Sequence, residues 1–265
     1  MHRRSHQPSS LFSAACFALG IMGALFAIAQ PPPAPSSTGP AAPVQTTPAP
    51  PPALKPFRAR YKVEFFGITA GTADFALVSQ GMGRYEYRST LHPGFLASFR
   101  VPDGAWLASW VESAGTSVRP LRYQEEDGTS DTDDDVLLDF DWEHAVVQGT
   151  ANNTPVRLAL SPATQDPLSM QVAVLCDFAN QRDPGHYAMV DKTKIKEYDY
   201  KREGVARLRT ALGVLDTIVF TQSRPGSDKI TRFWYAPTLD YVTVRSEDLV
   251  NGKVRTRMTI QSLKR

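Results

Sequence analysis

The chain has 265 residues, 21 of them proline and 2 cysteine, with a formal net charge of +2. That balance argues against a nucleic-acid binder, which needs a basic face, and 21% charged with 10% aromatic residues argues against a wholly disordered chain. The totals are unevenly spread: 12 of the prolines precede Phe57, and the remaining 209 residues are long enough to bury the core of one domain.

Residues 1–29 read as an export signal. Arg3 and Arg4 sit in a polar start, residues 11–29 carry no charge, and Ala27 and Ala29 supply the small side chains that a signal peptidase needs. The expected cut falls after Ala29 and places the domain in the periplasm or outside the cell. The alternative is an inner-membrane anchor, because 19 uncharged residues can span a bilayer. Cys16 does not make a lipobox, since Ser13 stands where Leu is needed. Cleavage removes Cys16 and leaves Cys176 alone, so no intramolecular disulfide is expected. Removing Arg3 and Arg4 also leaves 27 basic and 27 acidic residues, a formally neutral chain. Residues 30–56 hold eleven prolines and one charge, Lys55, and read as a disordered, semi-stiff linker.

From Phe57 onward the pattern alternates. Phe57, Ala59, Tyr61, Val63 and Phe65 share one face, with Arg58, Arg60, Lys62 and Glu64 on the other, as in a half-buried strand. Gly67 and Gly71 are expected to bracket a turn, after which Ala73, Phe75 and Leu77 alternate. Further strands are expected at 85–91, 105–112, 119–126, 136–142, 156–160, 194–201, 205–210, 216–223, 229–235, 241–247 and 253–263. Asp127-Gly128, Ala151-Asn152-Asn153, Pro225-Gly226 and Asn251-Gly252 supply turns, the last with the strongest hairpin signature.

Residues 166–180 break the alternation and read as a helix, with Asp166 as cap and Pro167 at the first helical position. Its apolar arc is wider than a surface helix needs, so protein is expected on more than one side. Gln171 lies inside that arc, either as a tie to strand backbone or as a polar group facing a ligand cavity. The fold class that follows is mainly β: a curved antiparallel meander or half-barrel wrapping one buried helix.

Catalytic signals are sparse. Asp131, Asp133 and Asp135 imitate the first ligands of a calcium loop, but Val136 replaces the turn glycine and Trp142 the final Glu, so a solvated hairpin tip is the better reading. His92, His144 and His186 lie in no ligand spacing. Gly-x-Ser-x-Gly elbows and phosphate loops are absent. Cys176 sits mid-helix in apolar surroundings that disfavour the thiolate. Asp139, Asp141 and Glu143 share a strand face and form the candidate acids of an envelope glycan hydrolase; a solvated face is the plainer reading. No metal and no cofactor is indicated. Aromatics, including Trp106, Trp110, Phe233, Trp234 and Tyr235, fall in strands, where they fill a core or line a concave apolar face.

Five segments carry a resemblance: Phe57-x-Ala59-x-Tyr61-x-Val63 with Gly67 and Gly71; Leu121-Arg122-Tyr123 after Pro120; Leu138-Asp139-Phe140-Asp141-Trp142; Thr164-Gln165-Asp166-Pro167-Leu168-Ser169; and Trp234-Tyr235-Ala236-Pro237-x-Leu239-x-Tyr241-x-x-Val244-Arg245. In this order they resemble the exported bacterial proteins of domain-of-unknown-function family 3108. The resemblance covers nearly all of 57–265 and implies an envelope location and a β-rich fold, with no established catalytic residues. The order of sheet and helix is also similar, at the level of fold only, to the half-barrels of lipoprotein carriers and envelope sigma-factor regulators. The expected function is a non-enzymatic envelope domain that binds a lipid, a glycan or a protein partner, with a scaffold module as a further alternative. Gln171, Met170 and Phe178 on the helix, with Trp142 and Trp234 on the sheet, are the candidate contacts. The oligomeric state is left open.

Overall fold

The computed structural model describes residues 54–95, 102, 104–114 and 116–265. The expected signal and most of the expected linker lie outside them. The first eight strands are β1 (Phe57–Phe65), β2 (Ile68–Gly81), β3 (Arg84–Pro93), β4 (Trp106–Ala114), β5 (Ser117–Glu126), β6 (Val136–Asp141), β7 (Val146–Ala151) and β8 (Thr154–Ala159). A two-residue strand β9 (Thr164–Gln165) then leads into the helix α1 (Ser169–Ala179). The chain returns through β10 (His186–Asp191), β11 (Lys194–Thr210), β12 (Gly213–Ser223), β13 (Lys229–Ala236), a 3₁₀ turn (Pro237–Leu239), β14 (Val242–Val250) and β15 (Lys253–Lys264).

All fifteen strands form one open sheet in the order β8-β7-β6-β5-β4-β3-β2-β1-β15-β14-β13-β12-β11-β10-β9. Every neighbouring pair is antiparallel except β9 with β10. The expected curved meander around one buried helix is therefore the observed architecture. Its two arms are joined mid-sheet, where β1 pairs with β15. Hairpin chemistry explains the sharp reversals: Asn251 and Gly252 have φ of 51° and 72°, and Asn152 and Asn153 have 51° and 55°, the paired positive φ of type I′ turns.

The alternation buries Phe57, Ala59 and Tyr61 and turns Arg58 and Arg60 outward. Leu54, three residues before β1 in the segment read as linker, is also buried in this core. Four local readings need correction. Gly71 lies inside β2, not at a turn; its φ is +150° and a Cβ there would stand 2.2 Å from the His92 carbonyl oxygen, so only glycine lets β3 approach. The strands expected at 194–201 and 205–210 are one strand, β11, whose register shifts between Arg202 and Gly204. Strands β7 and β10 have no counterpart in the alternation; β10 is buried at every position after His186, so period two never shows. Trp142 falls just past the end of β6.

The helix starts at Ser169, two residues after the expected first position at Pro167, while the hydrogen bonds that tie its start still come from Asp166. Asp166 Oδ1 accepts the amide protons of Leu168 and Ser169, both at 2.8 Å, and the Asp166 carbonyl accepts from Met170 at 3.0 Å. Ser169 Oγ accepts the Asp166 amide proton in return, at 2.7 Å, which makes a reciprocal cap. Val172 and Val174 are fully enclosed, while Phe178 stacks on Tyr241 at 4.5 Å and meets Phe220 and Tyr235 edge-on. The helix packs chiefly on β5 and β4.

Candidate functional site

Because the sheet curves around a single α-helix among the described residues, side chains there fill the concave side incompletely. A cleft with a cavity volume of about 210 Å³ remains between the first turns of α1 and the inner face of the sheet. That is many times the roughly 10–15 Å³ needed for one water. One wall is built by β1–β3, where Phe57, Tyr61, Phe75 and Tyr87 form a chain of ring contacts. The facing wall holds Tyr200, Phe233 and Tyr235, stacked in series with centroids 6.1 and 5.8 Å apart. Met170, Gln171 and Leu175 of α1 close the space between them.

Polar groups inside are few and mostly tied. Tyr61 donates its hydroxyl proton to the Thr243 carbonyl at 2.7 Å, and Tyr87 donates to Gln171 Oε1 at 3.3 Å. Burial pushes the Tyr61, Tyr87 and Tyr235 phenols up, so all three remain neutral donors. Gln222 Nε2 points at the Met170 sulfur, 3.6 Å away. The end of the cleft near the β12–β13 and β14–β15 turns differs, because Arg224, Lys229, Thr231, Asp248 and Arg255 line it. Burial lifts the Asp248 carboxyl to about 7, and Thr231 Oγ1 donates to it at 2.9 Å.

The five residues singled out from sequence divide. Met170 and Gln171 line the cleft, and the bond made by Gln171 is to a tyrosine side chain rather than to strand backbone. Phe178 faces away, into the stack with Tyr241. Trp234 lies on the opposite face of β13 from Phe233 and Tyr235, with the guanidinium carbons of Arg232 and Arg245 5.9 and 5.8 Å from its ring centroid. Trp142 donates its indole proton to the Pro120 carbonyl at 2.7 Å and lies under Arg119. It serves the edge of β5, since β6 pairs only with residues 122–125 of that strand. Gln165 bonds the Val118 carbonyl in the same way, at 3.1 Å, and Arg182 bonds that of Thr116 at 2.6 Å.

The carboxylates of the hydrolase reading lie outside the cleft. Asp139 is 46% exposed and bonded to Arg122 at 2.7 Å, Asp141 is held low by the His144 amide and imidazole, and Glu143 is exposed. Asp131, Asp133 and Asp135 accept from Asp133 N–H, Asn153 and Asp127 N–H respectively. Among the described residues no group of three or more His, Cys, Asp or Glu is placed to hold a metal ion. Cys176 is a buried free thiol, pushed up by burial. Sequence reasoning passed over the tyrosines and the cationic end. Tyr61 and Tyr87 were visible as inward positions of alternating strands, whereas Lys229 and Arg255 lie in two separate predicted strands that only sheet pairing brings together.

Fold and site together define an open β half-barrel holding a helix and an apolar, aromatic-walled cleft. The chain belongs to the family described as "Protein of unknown function (DUF3108)", which it matches over residues 58–259. Comparison with curated proteins finds no match. Among solved structures, it is similar to a β-barrel-like protein of domain of unknown function DUF1849 from Brucella abortus: TM-score 0.49, 8% identity, covering 79% of this chain and 97% of that one. It is also similar to a chain of the Pseudomonas aeruginosa MucA/MucB complex: TM-score 0.36, 12% identity, covering 79% of this chain and 51% of that one. At these identities no residue here takes a role from either.

Proposed function

We propose that this is an exported cell-envelope protein whose cleft takes up an apolar or amphipathic molecule without chemical turnover. In this reading residues 1–29 direct export and the proline-rich segment after them is a spacer. The single observation that carries it is the aromatic-walled cleft between α1 and the sheet, a concave, mostly apolar space with a few placed polar groups. The positions of Asp139, Asp141 and Glu143 away from that cleft favour binding over glycan hydrolysis. The test uses the neutral fluorophore N-phenyl-1-naphthylamine. Saturable one-to-one fluorescence enhancement is expected from the parent protein. Ser89 is buried and lines the cleft on β3, so Ser89→Phe fills the space and lowers probe affinity by about tenfold or more while the protein still melts cooperatively. Absence of saturable binding, or equal binding by the filled variant, overturns the reading.

A further inference from the structure

The cleft is not uniformly apolar, and the asymmetry specifies a ligand. Strand pairing gathers charges at one end. Thr231 lies opposite Asp248 and Lys229 opposite Val250 on β14, while Asp248 in turn faces Thr256, one residue from Arg255. Arg224 joins them from the turn after β12. Phe65 of β1 lies opposite Thr256, and the Arg255 guanidinium carbon is 5.4 Å from its ring centroid, so the charge borders directly on the aromatic wall. Arg255 and Arg224 act on Lys229 from one side of the balance, and Asp248 and Asp228 from the other. Lys229 is held below its ordinary range first by burial, then by Arg255, as expected for a partly dehydrated ammonium beside a guanidinium.

We propose that Arg224, Lys229 and Arg255 form a head-group seat, so that the molecule held in the cleft is an anionic amphiphile: an acyl chain between the aromatic walls and a carboxylate or phosphate at the cationic end. This rests on the binding reading above and names the class of ligand for it. Cations already partly dehydrated give up less hydration when an anion arrives, and guanidinium and ammonium groups make charge-assisted hydrogen bonds to either head group. A neutral chain of equal length gains only the apolar part.

The test measures displacement of N-phenyl-1-naphthylamine from the full chain by dodecanoate, dodecyl phosphate and dodecanol. The parent is expected to prefer at least one of the two acids over the alcohol by about tenfold. Whichever acid is stronger distinguishes a fatty-acid source from a phosphate one. In Lys229→Gln/Arg255→Gln the ratio of acid to alcohol should fall to about two or less. Single Lys229→Gln should give an intermediate ratio, which keeps the result readable if the double variant folds poorly. Lys253→Gln, an exposed neighbour that does not line the cleft, should keep the parental ratio. Equal displacement by all three amphiphiles, or loss of the preference in Lys253→Gln, overturns the head-group seat. Failure of the probe itself to bind overturns the binding reading instead.

Discussion

Asp166 performs three tasks with one carboxylate. It caps α1, receives the Ser109 hydroxyl at 2.6 Å from β4, and starts the turn that follows β9. Full burial pushes its pKa up to about 6, against the lowering effect of those hydrogen bonds. An acid raised in the folded state binds its proton more readily there than in the unfolded chain. Its contribution therefore favours folding increasingly as pH falls from about 7 towards 4, by on the order of 2 kcal/mol. Asp166→Asn keeps an acceptor for the helix amides and removes the titration. Denaturant unfolding at pH 7 and pH 4 should place this variant within about 1 kcal/mol of the parent at pH 7, without the Asp166 share of the pH response. Asp166→Ala loses the cap and strands Ser109, at a cost of about 2–3 kcal/mol at pH 7. An identical pH response in parent and Asn variant would refute this account.

At the scale of elements, the uncovered part of β5 is the weak point of the sheet, because its carbonyls have side chains instead of a neighbouring strand. Trp142→Phe keeps most of the ring and deletes only the donor to Pro120, so a loss of about 1–2 kcal/mol in chemical denaturation is expected. Probe affinity should hold, since the indole does not line the cleft. The same residue shows why sequence reading reached the fold more fully than the site. Strands with one wet face, such as β1, announce themselves by alternation, and Asn251-Gly252 announces its turn. An indole that replaces a missing ladder bond carries no such signature, and it was read as a ligand contact. Met170 and Gln171 were legible because the helix pattern left a polar residue in an apolar arc. Phe178 shares that arc but looks the other way, a distinction set by how strands from both arms of the sheet close around α1. The cationic end was illegible because Lys229 and Arg255 come together only through the pairing of β13, β14 and β15.

The described residues form two meanders, β1 to β8 and β10 to β15, built largely of hairpin contacts between strands adjacent in sequence. One junction is different: β1 meets β15, with Arg58 opposite Lys264 and Phe65 opposite Thr256. Contacts so distant along the chain carry the largest loop-closure entropy and form slowly. The facing walls of the cleft come from opposite sides of this seam, Phe57, Tyr61, Phe75 and Tyr87 from one, and Phe233 and Tyr235 from the other. In refolding monitored in parallel by far-ultraviolet circular dichroism and by N-phenyl-1-naphthylamine fluorescence, most strand signal should return before the probe reports a cleft. Simultaneous recovery of both signals would mean that the seam is not the late step. The cleft is then a product of the last zipping event rather than of either arm. Any molecule lodged there weighs directly on that event, adding to the closed state a stabilisation that grows with the logarithm of its free concentration. Under the proposed binding function, occupancy would act as a latch on the seam, holding β1 against β15.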